Sequence, residues 1–129
     1  MSRKSEIMSK EILFRGKRFD NGEWVEGLPY KAKYGGISAI VNENEERFVI
    51  IPETLRRYIG LTDKNGKRIF EQDIVIIEYS TTKVKGYIEY QGVAFYVATN
   101  SDLWDINEFV SIEVIGNVTD NPELLEVDE

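Results

Sequence analysis

The stretch YIGLTDKNGKRIFEQDIVII, Tyr58 to Ile77, decides how this chain reads. It divides into a strand, a tight turn, a second strand and then a third. The turn falls at Lys64–Asn65–Gly66, where Asn65 and Gly66 fill positive-φ positions because both residues tolerate left-handed backbone. Ile74 to Ile77 is wholly apolar, the pattern of a strand buried on both sides or forming a barrel wall. Asp63, Lys64, Lys67, Glu71 and Asp73 crowd the same stretch. In the structural reading Asp63, Asn65 and Gly66 shape the turn, the two lysines are solvated, and Glu71 and Asp73 flank the entrance to the next strand. A carboxylate at Asp73, just ahead of a buried strand, is placed to accept hydrogen bonds from turn N–H groups. The competing reading makes Asp73 a metal or phosphoryl-transfer ligand, which requires a second close acid such as Glu71 or Asp63.

Composition narrows the chemistry. The chain has 129 residues, the length of one domain. It contains neither Cys nor His. Zinc sites of the usual ligand sets, disulfide frameworks and His-activated nucleophiles therefore cannot be built from it. No Walker A or GxGxxG pattern occurs. Asp, Glu, Lys, Tyr, Ser and Thr remain as acids, bases and nucleophiles. With 23 Asp and Glu, close carboxylate pairs arise by chance. The sequence accordingly assigns no catalytic, cofactor-binding or metal-binding residue, and no cofactor. No apolar run approaches the roughly 20 residues of a membrane helix, and the first residues lack a signal-peptide core. The expectation is a cytoplasmic protein without a membrane partner.

Charge is uneven along the chain. Residues 1–18 hold six bases and two acids, whereas residues 19–129 hold ten bases and twenty-one acids. A net charge of −7 opposes broad phosphate-backbone binding, so nucleic acid is not an expected partner. The basic start reads as a flexible solubilising segment. It would also suit an acidic surface on a neighbouring subunit.

Period-two patterning dominates the remainder. EILFRGKRF alternates Ile12 and Phe14 with polar residues, DNG at 20–22 marks a hairpin, and EWVEGLPY returns with Trp24 as an anchor. YGGISAIV and ENEERFVII add two further strands. Pro29 and Pro52 place their segments at edges or strand ends. After DIVIIEY, TTKVKG turns the chain and Gly86 permits a bend. YIEYQGVAFYVA is a hairpin about Gln91–Gly92, and FVSIEVIGNV is a last strand reaching Gly116. SDLWDINEFV reads best as a short helix capped by Ser101, with Leu103, Ile106 and Val110 near one face. A strand with Leu103 and Asp105 on opposite sides of Trp104 is the alternative. Gly116 is explained by close packing or a bend, and Asn117 by bonds to local backbone. Trp24, Trp104 and Tyr96 read as core anchors, with a stacking surface for single strands as the competing role.

These elements define a mainly β fold: N-terminal antiparallel hairpins followed by a small SH3-like β-barrel of five short strands with a bent middle, and at most one or two short helical turns. The expected organisation is a flexible basic segment 1–10, a hairpin region 11–56, a barrel region 57–120 and an acidic tail 121–129, together one compact unit.

Three blocks, RGKRFDNGEWVEG, ETLRRYIGLTDKNGKRIFEQDIV and EVIGNVTDNPELL, resemble the YopX family of phage and prophage proteins. They follow the family's order and span Lys10 to Leu125. The middle block is the most specific: Gly-Leu-x-Asp-Lys-Asn-Gly-Lys, then Ile, an aromatic, Glu, any residue and Asp-Ile-Val. The match departs at Gln72, where the family usually carries Gly, which argues against a required positive φ there. It departs again at Arg56–Arg57, where more neutral residues are common. The resemblance implies a prophage-encoded β-rich protein that forms a homo-oligomer; it implies no activity and carries over no catalytic residue. The sequence-level expectation is therefore a non-enzymatic accessory protein acting through protein contacts or self-assembly. A nucleic-acid-binding module and a carboxylate-based metal enzyme are the alternatives.

Overall fold

The computed structural model describes residues 12–33, 35–107 and 111–126. The basic segment 1–10, Val110 and the last three acidic-tail residues lie outside that range. The described residues form eleven strands and two 3-10 turns, at Pro52–Thr54 and Pro122–Leu125. The strands belong to two antiparallel sheets, of six and five strands. The chain divides into two compact units at Gly60/Leu61.

The first unit contains β1 (Phe14–Lys17), β2 (Trp24–Lys31), β3 (Ile37–Val41), β4 (Arg47–Val49) and most of β5 (Arg56–Thr62), in the order β4-β3-β2-β1-β5. DNG makes the β1–β2 turn as its residue types require. Gly22 has φ 73°, and Arg18 N–H donates to Glu23 O at 2.8 Å. One face of the sheet is glycine at two positions. A Cβ on Gly16 would lie 2.6 Å from Ile50 Cδ1, and one on Gly27 would lie 2.2 Å from Val41 O. The missing side chains let Ile40 and Ile50 close over the backbone, and both are fully buried. Pro29 lies in β2, an internal strand by order. The ladder with β1 ends at Gly27, however, so Pro29 has passed beyond it and its missing N–H sits at a local edge. Pro52 opens the first 3-10 turn.

The second unit holds β6 (Arg68–Phe70), β7 (Asp73–Tyr79), β8 (Thr82–Gln91), β9 (Ala94–Ala98), β10 (Leu103–Asp105) and β11 (Ser111–Asn117). Its five-stranded sheet runs β10-β9-β8-β7-β11. β7 sits between β8 and β11, so Ile74, Val75 and Ile77 are buried, as their continuous apolar run predicts. Ile88 and Val97 complete this core. A Cβ on Gly86 would lie 2.4 Å from Ala98 O, so the long strand β8 comes close to β9 where glycine allows it. The order ends at β10 and β11, without a closed ring of strands among the described residues.

Three sequence readings are corrected. SDLWDINEFV does not start a helix: Leu103–Asp105 is β10, paired to β9. Thr99 Oγ1 accepts the N–H groups of Ser101 (3.3 Å) and Asp102 (3.0 Å), turning the chain before Ser101 could cap anything. TTKVKG lies almost wholly inside β8; the turn precedes it, with Ser80 at φ 56°. In the Lys64–Gly66 turn only Gly66 has positive φ, at 81°; Asn65 does not.

Candidate interaction surfaces

The charge cluster of the opening stretch resolves into two buried carboxylates and their solvated neighbours. Asp63 Oδ1 accepts the N–H groups of Asn65 and Lys67, each at 2.9 Å. Its Oδ2 accepts Val114 N–H, also at 2.9 Å. Burial raises the Asp63 pKa, but the three N–H donors and the charge of Lys67 outweigh it, and the net shift is downward. Lys64 and Asn65 reach Glu113 at 3.8 and 3.4 Å. Asp73, 1% exposed, accepts Phe70 N–H at 2.8 Å, as expected of an acid at a strand entrance. Between them Gln72 adopts φ 64°. The left-handed conformation thus occurs where the sequence argued against it, and a non-glycine residue adopts it. Among the described residues, no three acids converge as metal ligands.

The last block is equally local. Asn121 Oδ1 accepts Asn117 N–H at 3.2 Å, and Asn117 Oδ1 accepts Asp120 N–H at 2.8 Å. A Cβ on Gly116 would lie 2.6 Å from Asn121 Oδ1, so the packing explanation of that glycine holds. The aromatic trio does not assemble as a stacking surface. Trp104 pairs with Val97 and so lies on the face opposite Tyr96, which pairs with Asp105. Trp104 packs on Tyr79 with ring centroids 5.6 Å apart, and Arg15 stacks on Trp24 at 4.6 Å.

What the sequence did not single out are two outward sheet faces. In the first unit, strand register puts Leu28, Val41 and Arg47 in one cross-strand row and Tyr30, Ala39 and Val49 in the next. All six lie on the face opposite Ile40. Val49 is 61% exposed and Leu28 52%. The Arg47 guanidinium lies 3.9 Å above the Tyr30 ring. In the second unit, Tyr87, Ala98 and Leu103 form one row, and Glu89, Tyr96 and Asp105 the next, opposite the face of Ile88 and Val97. Leu103 is half exposed. An open groove of about 520 Å³ is lined there by Tyr87, Glu89, Asp102 and Leu103 among others. The alternation Trp24, Glu26, Leu28, Tyr30 was the available signal for the first face. What it lacked was the partner strand that turns a row into a surface.

A mainly β chain of two antiparallel sheets, with turn carboxylates bonded to backbone N–H groups, is the class these observations define. The YopX family model, described as YopX protein, matches residues 13–126, and the chain belongs to that family. No curated protein matches it. Among solved structures it resembles the crystal structure of protein EF1440 from Enterococcus faecalis, with a TM-score of 0.61 and 23% identity over 90% of this chain and 99% of that one. That likeness concerns the fold. No helix among the described residues is long and apolar enough to cross a membrane.

Proposed function

We propose that this protein is a non-enzymatic, prophage-encoded accessory protein of the cytoplasm that works through protein contacts, self-assembly foremost. The carrying observation is the outward face of β2–β4, where Leu28, Tyr30, Val41 and Val49 stand together around the buried Ala39, with Ile40 on the opposite side of the sheet. Contiguous exposed apolar side chains of this kind mark contact surfaces. The second unit is best read as an SH3-like barrel. Its strand order, with β11 returning beside β7, supports that reading. Its fold leaves the function open, because barrels of this class serve many roles. Sedimentation velocity across a concentration series tests the proposal. Assembly above the 14.9 kDa monomer is expected, and the pair Leu28→Glu and Val49→Glu is expected to abolish it with the thermal melt preserved. A wild-type chain that stays monomeric at all concentrations would overturn self-assembly.

A further inference from the structure

The two units differ sharply in charge. Residues 1–60 hold eleven bases and nine acids; residues 61–129 hold five bases and fourteen acids. The two outward faces repeat this difference on a shared plan. Each is two cross-strand rows of three, with a tyrosine and a buried alanine near its centre: Tyr30 and Ala39 in the first unit, Tyr87 and Ala98 in the second. Each ends on a three-residue strand carrying an exposed apolar side chain, Val49 on β4 and Leu103 on β10. The first face adds a cation, Arg47, with no acid in either row. The second adds two acids, Glu89 and Asp105, with no base.

We infer that the β2–β4 face of one copy docks on the β8–β10 face of a second copy, with Arg47 set against Glu89 and Asp105. The occupant follows from charge. A face docking on its own twin would bring two cations, or four acids, into one contact with no opposite charge in either row, and like charges within a contact oppose it. Opposite faces bring apolar rows together and pair the charges at their ends. The contact is then heterologous: a pair joined by it keeps one free face of each kind, so copies continue to add until a ring closes. Arg47 is already held flat on Tyr30, so little of its side-chain freedom remains to be lost on docking. This inference rests on the self-assembly reading above and assigns its surfaces.

The test uses two variants of the full chain, each breaking one face. Arg47→Glu reverses the cation. Glu89→Gln with Asp105→Asn removes the acids without creating a match for the reversed face, while keeping an oxygen to accept Asn107 N–H, which Asp105 Oδ1 does at 2.9 Å. Unchanged thermal melts establish that both fold. Mass from light scattering is then read for wild type, each variant and their equimolar mixture. Wild type is expected above dimer mass, each variant alone as a monomer, and the mixture as a one-to-one dimer, since each variant supplies the face the other lacks. Monomers in the mixture would overturn the heterologous contact. Variants that assemble like wild type would overturn these faces while leaving self-assembly standing. A monomeric wild type would overturn self-assembly itself and this inference with it.

Discussion

The Asp63 carboxylate accepts the N–H of Val114 at 2.9 Å, fastening the Lys64–Gly66 turn to β11 across 51 residues of chain. The adjoining bond from Lys64 N–H to Ile112 O, at 3.0 Å, continues the join along the outer side of β11. One carboxylate thus shapes the turn and covers part of a terminal strand of the sheet. Asp63→Ala would leave three N–H groups without their acceptor in a largely buried place. The expected loss is about 3 kcal/mol, measured by urea or thermal denaturation. A variant as stable as wild type would remove Asp63 from this role.

The same carboxylate gives stability a pH dependence. Its pKa in the folded chain lies below the ordinary 3.8, so folding favours the ionised form. The stabilisation is complete above the unfolded value and is lost as the pH falls through the folded one. The melting-temperature gap between wild type and Asp63→Asn is therefore expected to be widest near neutrality and to narrow in acid below about pH 4. A gap independent of pH would show that ionisation of Asp63 does not matter.

Gly66 and Gln72 both hold left-handed backbone, at φ 81° and 64°. Gly66→Val is expected to cost roughly 1–3 kcal/mol, because a β-branched residue is strained there. Gln72→Gly is expected to leave stability unchanged or raise it by up to about 1 kcal/mol, relief of left-handed strain being offset by the flexibility of glycine when unfolded. Thermal melts of the two variants check both signs. A Gly66→Val chain melting with wild type would contradict the turn geometry.

Gly116 and Asn121 are coupled by space. A methyl group on Gly116 meets the Asn121 amide oxygen, which itself holds Asn117 N–H. Gly116→Ala is expected to cost about 1–3 kcal/mol. In Asn121→Ala the nearest obstruction is gone and only Leu124 Cδ1, at 3.0 Å, remains close, so the double variant should lose less than the two single losses added, by at least about 0.5 kcal/mol. Strict additivity in a double-mutant cycle would mean that the two residues do not press on each other.

How far the sequence reached follows from where information is local. Glycine turns at Gly22, Gly66 and Gly92 were legible because a positive φ is a demand of single residues. β7 was legible because a run of four apolar β-branched residues needs burial on both faces. β10 was misread because Leu103 and Ile106 satisfy helical spacing as well as Leu103 and Asp105 satisfy a strand, and three residues cannot arbitrate. Gln72 was misread because residue type alone hides strain that neighbours enforce: its N–H donates to Ile88 O, and its own carbonyl accepts Val118 N–H. The outward faces were illegible for a different reason. Leu28 and Val49 are far apart in sequence, and only strand register makes them neighbours across Val41 and Ala39.

Nucleic acid provides the last prediction. At about 150 mM salt the protein is expected to bind random DNA or RNA weakly or not at all. Residues 19–129 carry eleven more acids than bases, so phosphates approach against a repulsive field. The six bases of residues 1–18 can offset this only locally, over a screening length of about 8 Å. The Arg47–Tyr30 stack is a single cation on an apolar face, too little charge to hold a backbone that rewards several phosphate contacts at once. Any residual binding should fall steeply with added salt, weaken on deletion of residues 2–10, and survive Tyr87→Ala in the second unit. Electrophoretic shift and fluorescence anisotropy over a salt series read all three. Submicromolar affinity at that salt, retained after the deletion, would overturn the protein-contact reading in favour of a nucleic-acid-binding module.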